Sequence, residues 1–249
     1  MTGGARGLGN AVAVSFAKEG AKGVVLVDIQ DEQTFKAGRA AVEKHGARCH
    51  TIRADVTQED QVERAVAQAV QEFGRIDYAA NFAGVIGPLA PSWDIALADW
   101  KRVLDINTVG VWLSMKHEMK QMLQQDSIAV EPGRVPQQGS IVNCASVNAI
   151  QAGAGTTGYT ASKHAVLGMT KAGALEARAQ NIRVNAVSPG FLQTKLFDGS
   201  PMSGQEDMLK EFEKRQGRRA SFDEVGDVVV LLCTPRMSLV NGHNLVIDG

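Results

Sequence analysis

Alternation constrains the fold of this chain most. Gly23-Val24-Val25-Leu26-Val27-Asp28 is an apolar run that ends in an acid, the pattern of a strand buried on both faces. Further strands are expected at 49–54, 76–82, 140–144, 183–187 and 244–247. Helical periodicity fills the intervals, at 10–19, 32–45, 58–73, 99–124, 157–180 and 222–232, with a shorter charged helix near 206–215. Strands that alternate with helices of this length pair in parallel, because each return crossover must carry the chain back along the sheet. Right-handed crossovers then give an α/β, doubly wound, Rossmann-like parallel sheet with helices on both faces. Residues 124–138 are polar and hold two prolines, so they read as a surface loop.

At 249 residues the chain is expected to be a single domain spanning 1–249, with no repeat and no linker. Its 26 basic and 27 acidic residues nearly cancel, which offers no field for nucleic acid. Cys49, Cys144 and Cys233 are far apart and unpaired in spacing, which argues against a disulfide framework or a zinc site and suits a reducing compartment. No secretory signal is visible, and the longest apolar run, 228–233, is far too short to span a membrane. The expectation is a cytoplasmic protein with a small-molecule substrate, no nucleic-acid or membrane partner and no metal.

Two stretches carry chemistry. Thr2-Gly3-Gly4-Ala5-Arg6-Gly7-Leu8-Gly9 is a glycine-rich loop that runs into a helix. Glycines allow close approach of a pyrophosphate, and the helix start offers free N–H groups and a positive dipole end. Asp28 closes the next strand about 20 residues on, where an acid binds a ribose 2′-hydroxyl and repels a 2′-phosphate. A helix N-cap is the plainer role for that aspartate. Arg6 pulls the other way, since a guanidinium pairs with a 2′-phosphate; Asp28 decides for NAD over NADP. The second stretch is Tyr159-Thr160-Ala161-Ser162-Lys163, which sets a phenol and an ammonium on one helix face. A fixed ammonium favours a phenolate, so such a pair can act as a general acid/base. Alone, it is more often a packing pair.

Taken with Asn81-Phe82-Ala83-Gly84, Asn107, Ser146 and Asn185-Ala186-Val187-Ser188-Pro189-Gly190, these motifs resemble the short-chain dehydrogenase/reductase family, in the family's order and over nearly the whole chain. The resemblance implies hydride transfer between a nicotinamide cofactor and a secondary alcohol or ketone. It makes Tyr159 the general base in oxidation and the general acid in reduction. Lys163 tunes Tyr159 and binds the nicotinamide ribose, and Ser146 holds the substrate oxygen. Asn107 holds a water in a proton relay behind Lys163. Cofactor contacts fall to Gly3, Arg6, Gly7, Leu8, Asp28, Asp55, Val56, Asn81 and Gly84, then to Tyr159 and Lys163, and to Pro189, Leu192 and Thr194 at the carboxamide. Residues 191–217 form a substrate-covering segment, and the helices at 99–124 and 157–180 make subunit contacts in a homotetramer or dimer. Ile150, Phe191, Leu196 and Phe197 near the expected pocket suggest a medium-sized apolar substrate, such as a ring compound or a secondary-metabolism intermediate.

The sequence departs from the family pattern at its start. The family places an apolar strand before the glycine-rich loop, at the centre of the sheet, whereas only Met1 precedes Thr2 here. The first strand is expected to be missing or truncated, with unpaired groups on its neighbours and an unanchored loop. Either the chain starts further upstream or the member is damaged or repurposed. Phe82 stands where many relatives have a second asparagine. Two alternatives stay open: an NADP-dependent ketoreductase, on Arg6, and a non-catalytic dinucleotide-binding or scaffold protein, on the strand.

Overall fold

The apolar runs of the sequence become six parallel strands: β1 (Gly23–Asp28), β2 (Arg48–Arg53), β3 (Tyr78–Asn81), β4 (Gly139–Cys144), β5 (Ile182–Pro189) and β6 (Asn244–Ile247). The computed structural model describes residues 1–130, 132–192, 214, 216–218 and 220–249. Strand β1 pairs with β2, and the order β3-β4-β5-β6 runs to the other edge. Every residue of β5 is buried, as a strand covered on both faces requires.

The centre of the sheet corrects the expectation of an unanchored loop. Met1 and Thr2 lie between β1 and β3, and Thr2 bridges in parallel to both Val27 and Asn81. Thr2 N–H donates to Ala80 O at 3.0 Å and Thr2 O accepts from Phe82 N–H at 3.2 Å. On the other side Val27 N–H donates to Met1 O at 2.8 Å and Gly4 N–H to Val27 O at 3.3 Å. Two residues therefore fill the place of a central strand at the end where the glycine-rich loop departs, and the loop keeps its anchor.

Helices α1 (Gly7–Lys18), α2 (Glu32–Glu43) and α7 (Phe222–Cys233) cover one face of the sheet. Helices α3 (Glu59–Phe73), α5 (Gly110–Leu123) and α6 (Thr157–Ala177) cover the other. Local signals set the ends. The Asp31 side chain accepts from Thr34 N–H at the start of α2, Gly74 ends α3 in the left-handed region at φ 84°, and Ser221 and Glu224 form a capping box on α7. Leu26, Ile141 and Ile182 are fully buried, each contributing about 2 kcal/mol by removal from water.

The helix expected at 99–124 forms, with a π turn inside it. Helix α4 (Leu97–Leu104) passes through a π turn at Asp105–Val109 before α5 begins. The 124–138 loop folds back on itself through an antiparallel bridge between Ile128 and Gln137. Gln137 then donates to Cys233 O and accepts from Arg183, so the loop covers the carboxyl end of α7. Among the described residues, no helix is long and apolar enough to cross a membrane.

Candidate active site

A cleft of about 1780 Å³ opens at the carboxyl ends of the strands. It lies where the strand order reverses on either side of Met1–Thr2, the place at which open parallel sheets bind ligands. The volume exceeds the roughly 300–1,000 Å³ of a single small-molecule pocket, which leaves room for a dinucleotide and a substrate together.

Glycine geometry shapes the first wall. Gly3 has φ +65°, and a Cβ on it would sit 2.7 Å from Ala83 N, so the loop packs against the β3 exit as only glycine can. Gly7 has φ +59° with nothing near its Cβ position, leaving the start of α1 bare toward the cleft. Arg6 stands at the N-cap and gives no side-chain cap bond, so the first-turn N–H groups have no acceptor among the described residues. This cradle fits a pyrophosphate. Leu8 lines the same wall.

At the far end, Asp28 Oδ2 accepts from Ala5 N–H at 3.0 Å and Oδ1 from Ile29 N–H at 2.8 Å. The carboxylate is locked to the glycine-rich loop while it lines the cleft. Asp55 and Val56 line it next; Asp55 Oδ1 is steadied by Thr57 N–H at 2.9 Å and Thr57 Oγ1 at 2.8 Å.

Tyr159 and Lys163 project from the first turns of α6, and the Lys163 ammonium lies 5.5 Å from the Tyr159 ring centre. Lys163 is only 4% exposed, and its Nζ donates to Cys144 O at 2.7 Å at the end of β4. Two residues on, Ser146 lines the cleft, and its Oγ accepts from Asn148 N–H at 3.2 Å. Pro189, Gly190, Phe191 and Leu192 close this end where β5 finishes. Burial pushes the Cys144 thiol above its ordinary range, with Lys163 opposing.

Two asparagines are buried beneath the cleft. Asn81 is fully buried and does not line the groove. Its Nδ2 donates to Glu118 Oε2 at 2.9 Å and Asn143 Oδ1 at 3.1 Å. The strand's two-residue period turns Asn81 into the core under the site, and Phe82, Ala83 and Gly84 form the wall in its place. Burial pushes the Glu118 carboxyl up, and the Asn81 bond opposes. Asn107, also fully buried, spends its side chain on structure. Its Oδ1 accepts from Val85 N–H at 2.9 Å, and Nδ2 donates to Val85 O at 2.8 Å and Ser162 Oγ at 3.0 Å. It thus clamps the loop after β3 to the helix that carries Tyr159 and Lys163, from inside the π turn.

Ile150 is 56% exposed and does not line the cleft, whereas Phe191 does. Thr194, Leu196 and Phe197 lie outside the described residues, as do most of the substrate-covering segment 191–217 and the helix expected near 206–215. The sequence reading missed Lys101, Arg102 and Asp105, which line the cleft from α4 and the π turn, and Asn148 and Gln151 beyond Ser146. The only sequence signal for the first group is their spacing along one helical face.

The family described as Enoyl-(Acyl carrier protein) reductase matches residues 3–249. The chain is 38% identical over 264 residues to (+)-borneol dehydrogenase 2 of Salvia officinalis, covering 100% of this chain and 87% of the relative. It is 37% identical over 259 residues to the short-chain dehydrogenase fogB of Aspergillus ruber, covering 100% of this chain and 94% of the relative. Among solved structures, levodione reductase superposes with a TM-score of 0.89 at 35% identity, over 100% of this chain and 94% of that one.

Proposed function

From the membership of this chain in the short-chain dehydrogenase/reductase family, we infer that the cleft carries hydride transfer at a secondary alcohol or ketone. The protein is a nicotinamide-dependent oxidoreductase of CH–OH groups. The observation that supports the assignment of the site is the convergence of Tyr159, Lys163 and Ser146 from two elements on the floor of the cleft that the glycine-rich loop and Asp28 also line.

A nicotinamide dinucleotide, when bound, supplies or accepts the hydride. The open first turn of α1, with Gly3, Gly7 and Leu8, holds its pyrophosphate. Asp28 holds the adenosine ribose, and Asp55 and Val56 flank the adenine. Gly84, Pro189 and Leu192 lie along the nicotinamide half, with Lys163 on its ribose. Ser146 donates a hydrogen bond to the substrate oxygen. Tyr159 takes the proton from a carbinol oxygen in oxidation and returns it to a carbonyl oxygen in reduction. Lys163 sets its positive charge beside the phenol and stabilises the deprotonated form. Asn107 acts as a positioning residue, holding α6 against the loop after β3.

The carboxylate at Asp28 favours NAD, because a 2′-phosphate beside a locked anion is repelled. Relatives named for an alcohol, borneol, and a dione, levodione, support a medium-sized, largely apolar substrate. We assign residues 1–249 to one catalytic unit, active as a homo-oligomer in the cytoplasm. The test is a fluorescence titration with NADH and NADPH, followed by turnover with cyclic secondary alcohols. Tighter binding of NADH and Tyr159-dependent turnover are expected; tighter binding of NADPH overturns the cofactor assignment, and no binding of either overturns the enzyme.

A further inference from the structure

The substrate end of the cleft holds a polar group that the hydride-transfer machinery leaves unused. Asn148 lies in the short turn Val147–Ala149, half-buried, and lines the cleft beside Ser146. Its Nδ2 is 3.2 Å from Thr156 Oγ1 and 3.5 Å from Thr160 Oγ1. Counting protons sets the direction of each bond. Thr156 gives its one hydroxyl proton to Gly153 O at 2.7 Å. In its 3.0 Å contact with Thr160 it therefore accepts, and Thr160 donates. Both hydroxyl oxygens are left with lone pairs only. The amide of Asn148 satisfies them in one orientation, nitrogen toward α6. Its Oδ1 then has no hydrogen bond among the described residues. The backbone N–H of the same residue occupies a lone pair of Ser146 Oγ, leaving the serine proton for the substrate.

We propose that Asn148 is a specificity-determining residue whose Oδ1 accepts a hydrogen bond from a second donor on the substrate. The favoured substrate class is a ketone or secondary alcohol with a hydroxyl or N–H group beside the reacting carbon. Ser146 serves the reacting oxygen and Asn148 the neighbouring donor, from adjacent positions of one turn. A site that presents a fixed acceptor discriminates against the analogue lacking the donor, because the acceptor is then desolvated without a partner. The proposal rests on the reading of this cleft as the substrate site for hydride transfer.

Binding without turnover separates the two. With NAD in place of NADH no hydride is available to a ketone, and a tertiary hydroxyl has no hydride to give to NAD, so calorimetric titration of the NAD complex reads binding alone. The probes are 2-methylcyclohexanone and 2-hydroxy-2-methylcyclohexanone. The native chain is expected to bind the hydroxyketone roughly 3- to 10-fold more tightly. Asn148→Ala should erase that difference while leaving 2-methylcyclohexanone and NAD affinities unchanged, which a merely structural role would not do. Thr156→Val, which frees the amide to turn, should narrow the difference. Equal binding of the two ketones by the native chain, or a preference that survives Asn148→Ala, overturns the proposal. An Asn148-dependent preference without NADH-driven reduction of the hydroxyketone would overturn the hydride-transfer reading and leave this one standing.

Discussion

At the scale of single residues, the site works by restricting choices. Lys163 is held by Cys144 O at 2.7 Å and cannot swing away from the phenol it serves. Tyr159→Phe keeps the ring and removes only the proton carrier. Its kcat is expected to fall at least ~10²-fold, with NADH affinity unchanged in a fluorescence titration. Asp28 makes two backbone bonds, so its charge stays where a 2′-phosphate would arrive. Asp28→Asn removes that charge at nearly constant shape. The ratio of NADPH to NADH affinity should rise roughly 10- to 100-fold, most at low ionic strength. Tyr159, Lys163 and Asp28 were legible in the sequence as candidates from residue type and local spacing, and Ser146 only through the family resemblance. Asn148 was not, since its fixed amide depends on two threonines whose own proton directions depend on Gly153.

At the scale of elements, the π turn inside the 99–124 helix is the informative departure. Periodicity favours a continuous helix there, and the local energy difference from a π turn is small. Within the turn, Asn107 makes three bonds to Val85 and Ser162, which favour the conformation that brings them together. Asn107→Ala leaves those groups unpaired and should cost about 2 kcal/mol in chemical denaturation, with a drop in kcat from the loosened α6. Helix α7 gives a pH-dependent case. The Arg218 guanidinium and the Ser221 N–H hold the Glu224 carboxyl down to about 2, against an ordinary 4.5. A lowered folded-state value means the stabilisation is present above pH 4.5 and is lost as pH falls toward 2. Glu224→Gln should flatten the acid limb of an unfolding curve in that window; an unchanged limb would remove the capping box from the account.

At the scale of the whole molecule, Arg183 ties together parts far apart in sequence. From β5 it donates to Leu232 O at 2.8 Å, Cys233 O at 2.9 Å and Thr234 O at 3.1 Å, carbonyls at the end of α7. It also reaches Gln137 in the 124–138 loop and Val240 before β6. A guanidinium at a helix carboxyl end opposes the dipole's negative pole, and burial lowers its own pKa from the ordinary arginine range. Arg183→Met fills the volume but orphans the carbonyls. The expected loss is about 3 kcal/mol, seen as a Tm lower by roughly 6–12 °C, with NADH affinity retained in the folded fraction.

The sequence by itself determined the layered parallel sheet, the glycine-rich cradle, the acid that closes β1 and the Tyr159–Lys163 pair. Each depends on periodicity, residue chemistry or spacing within a few turns of chain. Only the tertiary structure decided that Met1 and Thr2 bridge β1 and β3 at one end of the sheet's centre, that Asn81 turns into the core, and that Asn107 ties the loop after β3 to α6. Those outcomes are set by partners from 22 to 81 residues away. A backbone group there satisfies its hydrogen bond with whichever neighbour the packing brings near, and no local pattern names that neighbour.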